Sequence, residues 1–126
     1  MSKKILFVDD NLYFHKRLQD ILNKIGDFEI KGFENGIDLI EHYKNLFNEK
    51  VNVDLIFIDF ILRDMSSFEV LEEIMDINKN AVVILMGGGH KEDVIRGIRI
   101  GAKWFISKSL DEENLKCAIQ RCIDIK

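Results

Sequence analysis

Two short runs constrain the fold of this chain more than anything else in it: Val53-Asp54-Leu55-Ile56-Phe57-Ile58-Asp59 and Ala81-Val82-Val83-Ile84-Leu85-Met86. Both are too short for a helix of usual length and rich in β-branched residues. That composition favours strands buried on both faces, which a parallel sheet covered by helices on each side provides. The first run ends in a carboxylate, Asp59. In open α/β sheets the carboxyl ends of the strands are where ligands bind.

The remaining segments supply the partners such strands need. Lys4-Ile5-Leu6-Phe7-Val8 is another apolar run and ends at Asp9-Asp10-Asn11. Phe14, Leu18, Ile21, Leu22 and Ile25 recur at helical spacing up to Gly26, a C-cap candidate. Phe28 to Phe33 alternates apolar and polar residues, as a half-exposed strand does. Asn35 can cap a second helix that turns Ile37, Ile40, Tyr43 and Leu46 inward. Ser66 and Glu69 fit a capping box and open a third helix, with Phe68, Leu71, Ile74 and Met75 as its stripe. Gly87-Gly88-Gly89 breaks the chain after the fourth strand. A short helix with Val94, Ile95 and Ile98 inward then ends at Gly101. Lys103-Trp104-Phe105-Ile106 reads as a fifth strand. The last helix starts near Asp111 and buries Leu115, Ala118, Ile119, Cys122 and Ile123. Strand and helix thus alternate five times, which predicts an α/β, doubly wound five-stranded parallel sheet. No linker or repeat divides residues 1–126, so a single domain is expected.

Charge and composition narrow the function. A formal net charge of -4 argues against non-specific binding to nucleic acid or anionic membrane. No apolar run approaches the ~20 residues that span a bilayer. Met1-Ser2-Lys3-Lys4 lacks the shape of a signal peptide. Cys117 and Cys122 would lie about 140° apart on a helix, too divergent to bridge. Reduced thiols and a cytoplasmic location are the expectation.

All strands of a parallel sheet end on one side. Asp9-Asp10, Asp59 and Lys108 follow the first, third and fifth strands, so three carboxylates and one ammonium converge if those strands are neighbours. A hard divalent cation would relieve the repulsion among the acids, and Mg²⁺ suits oxygen ligands. Mg²⁺ and Lys108 together could hold a phosphoryl group against Asp59, a carboxylate able to accept it. The bland alternatives are negative charge at a helix N-terminus for Asp9-Asp10 and an ordinary surface role for Lys108. His15, His42 and His90 show no metal-binding spacing and are expected to be solvated surface residues. The glycine triplet is not a dinucleotide fingerprint.

With these landmarks the chain resembles the receiver domains of two-component response regulators over nearly its whole length. Asp9-Asp10, Asp59, Gly101-Ala102 and Lys108 carry the resemblance, joined by Leu62, Asp64, Met65, Phe68 and Glu69. The resemblance implies a flavodoxin-like sheet in the order 2-1-3-4-5. It implies that Asp59 is phosphorylated by a histidine kinase or phosphotransfer protein. Asp10, Asp59 and the Ile61 backbone carbonyl would bind Mg²⁺, with Asp9 acting through water. Lys108 would contact the phosphate, and Phe105 stands at the switch aromatic. Signalling would run through the face of the fourth helix, fifth strand and fifth helix, to a downstream partner the sequence does not identify. Such a domain is not an enzyme beyond its own phosphorylation and dephosphorylation.

The departures from the family pattern matter as much. Receivers usually carry Thr or Ser after the fourth strand; here the position holds Met86, or Gly87 if the register slips by one. Neither has a hydroxyl, although the N–H groups of Gly87 and Gly88 can approach a phosphate closely. The usual Pro and Gly after the phosphorylated aspartate are Arg63 and Ser67. Ser109 replaces the usual Pro after the lysine. A cis bond there would cost about 2.5–4 kcal/mol without proline, so a trans Lys108–Ser109 bond is expected. The competing reading is a phosphorylation-independent interaction module on the same fold.

Overall fold

The computed structural model describes residues 2–123; Met1, the first residue of the amino-terminal stretch read above, lies outside them. The elements run β1 (Lys3–Val8), α1 (Leu12–Ile25), β2 (Phe28–Phe33), α2 (Gly36–Asn48), β3 (Leu55–Asp59), α3 (Ser67–Ile77), β4 (Val83–Met86), α4 (Lys91–Ile100), β5 (Trp104–Ile106) and α5 (Glu112–Cys122). Among the described residues the strands form one parallel sheet in the order β2-β1-β3-β4-β5. Both the alternation and the expected order hold. No helix among the described residues is long and apolar enough to cross a membrane.

Burial on both sheet faces follows from the strand period of two. Ile5, Phe7, Leu55, Phe57, Ile84 and Met86 meet Phe14, Leu18 and Leu22 of α1 and Leu115 and Ile119 of α5. Leu6, Val8, Ile56, Ile58, Val83 and Leu85 meet Leu39 and Tyr43 of α2 and Phe68, Leu71 and Ile74 of α3. Each fully buried large side chain stabilises the fold by roughly 1.5–3 kcal/mol, so the central strands fix the sheet edge from which the site projects.

The helix starts are set by side chains. Asn11 Oδ1 accepts from the N–H groups of Tyr13 and Phe14, at 2.9 and 3.3 Å. Asn35 Oδ1 accepts from Asp38 N–H at 2.9 Å. Ser66 and Glu69 form the expected capping box. Asp64, in the loop between β3 and α3, also reaches α2: its two carboxylate oxygens accept from Gly36 and Ile37 N–H, each at 3.1 Å. That loop is therefore tied to the start of α2 as well as to its own helix.

Two helices depart in part from the expected stripes. In α2 Tyr43 is buried and Ile40 and Leu46 pack against the core as expected, but Ile37 does not, and in α4 Ile95 and Ile98 do not. In α2 the buried residues are Gly36, Leu39 and Tyr43, while Ile37 is exposed. A Cβ on Gly36 would lie 2.7 Å from Val70 Cγ2, so α2 meets α3 through this glycine. Ile37, about 100° further round, points away. In α4 only Gly97 is buried, and Ile95 and Ile98 are 41% and 51% exposed. The helix touches the sheet through Gly97, where a Cβ would meet Leu85 Cδ1 at 2.7 Å. The two isoleucines face outward; Trp104 in β5 is partly exposed as well, with the Arg121 guanidinium 4.7 Å from its ring centroid. The Lys108–Ser109 bond is trans, as expected, since no cis peptide occurs among the described residues.

Candidate functional site

The sheet order makes β1 and β3 neighbours, so Asp9 and Asp59 end adjacent strands. Both are buried, at 0% and 4% exposure, and Asp10 is half-buried beside them. Carboxylate oxygens of Asp9, Asp10 and Asp59 lie within 4.8 Å of one another. Lys108, just beyond β5, reaches back across β4 to this cluster. Its Nζ stands 2.6 Å from Asp9 Oδ2 and 3.2 Å from Asp59 Oδ2. The same ammonium lies 4.3 Å from the centroid of the Phe14 ring, a placement that a ring quadrupole favours.

Each carboxylate has a distinct environment. Asp9 Oδ1 accepts from Asn11 N–H at 2.8 Å. Asp9 Oδ2 faces the lysine but has no aligned hydrogen-bond partner, although it is fully buried. Asp59 Oδ1 accepts from Ile61 N–H at 3.3 Å, which draws the backbone of Ile61 against the carboxylate. Asp10 Oδ2 is 3.5 Å from Nε of Arg63, an exposed residue, and an exposed pair of this kind adds little stability. Burial raises the Asp59 pKa, and the Asp9 charge raises it further; Lys108 and the Ile61 N–H only partly offset them. For Lys108, burial pulls the pKa down, but the contact with Asp9 and the charge of Asp59 outweigh it and the net shift is upward. Three carboxylates whose oxygens lie within 4.8 Å of one another are a set of hard donors that fits Mg²⁺, with Asp9 Oδ2 already buried against Lys108.

Around the acids, the structure resolves choices that the sequence leaves open. Met86 is paired with Asp59 in the β3–β4 register, on the same sheet face, and is fully buried near Phe14 and Leu110. Met86, not Gly87, is therefore the residue opposite Asp59. Gly87 has φ +122°, and a Cβ on it would lie 3.3 Å from Phe60 Cβ and 3.5 Å from Asp59 Oδ1. Its N–H is spent on Ile106 O at 2.8 Å. Of the two glycine N–H groups expected to face a phosphate, that of Gly87 is thus already engaged, while Gly88 borders open space. Phe105 is half-buried, with its ring centroid 5.8 Å from that of Phe60.

Several residues at the site escape sequence reasoning. Phe60 links Phe105 to Phe68, 5.6 Å away on the other side, and Arg96 lies over Phe68 at 4.3 Å. Its position directly after Asp59 was the available signal. Phe14 reads as core from its periodicity, and its contact with Lys108 needs the fold. His15 and His42 correct the expectation of solvated histidines. His15 is half-buried, with Nε2 2.6 Å from the carbonyl oxygen of Asp9. His42 packs on Phe33 with ring centroids 5.2 Å apart, and burial followed by the charge of Lys31 lowers its pKa. His90 is exposed.

The family model for the response regulator receiver domain matches residues 5–120. The chain is similar to the chemotaxis protein CheY of Thermotoga maritima, with 32% identity over 123 residues, covering 96% of this chain and 98% of that protein. It is 31% identical to the Bacillus subtilis CheY over 125 residues, covering 98% of this chain and all of that protein (100%). Among solved structures it is similar to a chain of the CheX–CheY–BeF3–Mg²⁺ complex from Borrelia burgdorferi, with TM-score 0.83 and 30% identity, covering 94% of this chain and 85% of that one.

Proposed function

The chain belongs to the response regulator receiver domain family, and from that premise we propose that it accepts a phosphoryl group on Asp59 in a Mg²⁺-dependent reaction. The donor is a histidine kinase or a phosphotransfer protein. The observation that carries this reading is the Lys108 ammonium set between Asp9 and Asp59, at 2.6 and 3.2 Å. A cation held by two buried acids is already where a phosphoryl group on Asp59 would place its negative oxygens.

Asp10, Asp59 and the Ile61 carbonyl would hold Mg²⁺, with Asp9 acting through water; when bound, the ion supplies positive charge against the phosphoryl oxygens. An Asp59 carboxylate oxygen attacks phosphorus. The new P–O bond forms as the bond to the donor nitrogen breaks, and that nitrogen keeps the electron pair. Burial, which raises the Asp59 pKa, leaves its carboxylate poorly solvated and correspondingly basic. Lys108 exchanges its contact with Asp59 for one with a phosphoryl oxygen, while Asp9 keeps it in place. Gly88 N–H is the backbone donor left for the same group. The similar CheY chain from Borrelia burgdorferi belongs to a complex with BeF3 and Mg²⁺, which supports the reading that this chain takes the ion and a phosphoryl group.

The output surface in this reading is the face of α4, β5 and α5, where Ile95, Ile98 and Trp104 are exposed. Residues 1–126 act as one cytoplasmic receiver domain with no catalytic activity beyond turnover of its own phosphoryl group. A second reading has its own support: Met86, opposite Asp59, is buried and has no hydroxyl, which favours an interaction module that works without phosphorylation. Intact-mass measurement after incubation with acetyl phosphate and Mg²⁺ separates them. Gain of one hydroxylamine-sensitive phosphoryl group, absent from Asp59→Asn, supports the first reading. Undiminished labelling of Asp59→Asn would move the nucleophile elsewhere, and no labelling of the wild type would favour the second.

A further inference from the structure

We infer that His15 is a positioning residue for the acid pocket, one that sets the Mg²⁺ affinity of Asp10 and Asp59 by holding the backbone of Asp9; the inference rests on the Mg²⁺-dependent reading above. Nε2 of His15 lies 2.6 Å from the Asp9 carbonyl oxygen. A carbonyl only accepts, so Nε2 carries the proton and donates. The ring is not free to swing away. It stands edge-on to Phe7, with centroids 4.7 Å apart and planes at 63°. From the β2 side it is closed in at Gly32, where a Cβ would lie 2.8 Å from His15 Nδ1 and 2.5 Å from Phe7 Cζ. A helix residue, a strand residue and a side-chain-free strand position together hold one imidazole in one orientation.

The N–H of Asp9 donates to Phe33 O at 3.0 Å, its Oδ1 accepts from Asn11 N–H at 2.8 Å, and Oδ2 faces the Lys108 ammonium at 2.6 Å. His15 anchors the remaining backbone group. Because the peptide unit is planar, fixing that carbonyl fixes the whole Asp9–Asp10 unit. The direction in which the chain delivers Asp10 to the pocket then depends on His15. Asp10 lacks comparable support of its own, since its ion pair is with the exposed Arg63 at 3.5 Å.

The test compares wild type, His15→Phe and His15→Gln by calorimetric Mg²⁺ titration at one pH, with thermal unfolding in EDTA recorded for each. His15→Phe keeps an aromatic ring against Phe7 but removes the donor; His15→Gln restores an N–H donor. The expected result is Mg²⁺ binding weakened on the order of tenfold in His15→Phe, as for other groups that orient metal ligands, and largely recovered in His15→Gln. Equal affinity in all three would overturn the inference while leaving the Mg²⁺ reading intact. Absence of Mg²⁺ binding by the wild type would overturn both. Should His15→Phe fail to fold, the nitrogen shifts of the wild-type imidazole decide: a neutral ring protonated at Nδ1 would overturn the proposed hydrogen bond, and a proton on Nε2 supports it.

Discussion

The acid pocket and the α4–β5 flank are made of the same alternating elements, yet they are held together in opposite ways. At the pocket, Asp9 is tied through its N–H, its carbonyl and Oδ1, and β3 beside it is buried along its whole length. Along α4, a single glycine makes the buried contact, and two isoleucines are left in solvent. β5 is three residues long and its tryptophan is partly exposed. In the reading proposed above, the difference is a division of labour. Charge handling needs atoms that do not move, because a preorganised site spends nothing on reorganisation. A surface that changes partners needs elements with little packing to lose.

The largest expected effect is on the stiff side. Phe57→Ala, in the centre of β3, should lower unfolding free energy by about 3–5 kcal/mol, read from urea denaturation. A loss under about 1 kcal/mol would mean that the pocket does not rest on a rigid core.

Met86→Thr tests the connection between the two regions. It should cost about 1–3 kcal/mol by exchanging a buried thioether for a smaller hydroxyl side chain. It should also enlarge the amide shifts around Phe105 when beryllofluoride and Mg²⁺ are added. Large, saturating shifts already present in the wild type and not enlarged in the variant would show that the pocket reaches the flank without a hydroxyl, with the Phe60 ring as the contact at hand.

Asp59→Asn should stabilise the metal-free protein near neutral pH. Burial and the Asp9 charge raise the folded-state pKa of Asp59 above its ordinary value. Stability tied to its proton is then present below the unfolded pKa and lost as pH rises through the folded one. Asparagine cannot ionise, so its advantage should appear above that window and fade as pH falls below the ordinary carboxylate range. Thermal unfolding in EDTA at several pH values checks it; an advantage that does not depend on pH would contradict the assigned cause. The smallest effect belongs to the flank: Ile98→Ala should change stability by no more than about 0.5 kcal/mol, and a larger loss would show that α4 is packed after all.

The sheet was legible because strands buried on both faces leave apolar runs that few other structures tolerate, and the runs ending at Asp59 and Met86 are of that kind. Asp9, Asp10, Asp59 and Lys108 were legible because parallel topology sends every strand end to one edge. The face of α4 and the exposure of Ile37 in α2 were not. Ile37, Ile95 and Ile98 have the spacing of a buried stripe, but Gly36 lets α2 approach α3 and Gly97 lets α4 approach the sheet, and those close approaches leave the three isoleucines outside. Nor was His15 legible, since its partner carbonyl, its supporting ring and the gap at Gly32 come from separate elements.

The Arg121–Trp104 stack gives the protein a built-in optical gauge. Trp104 is the chain's one tryptophan, and it reports from the flank rather than from the acids. Its emission should be indifferent to an event confined to the strand ends and sensitive to one that disturbs β5 or α5. Intrinsic fluorescence therefore separates occupancy from transmission: a titration seen by calorimetry but silent in Trp104 would be a message received and not passed on.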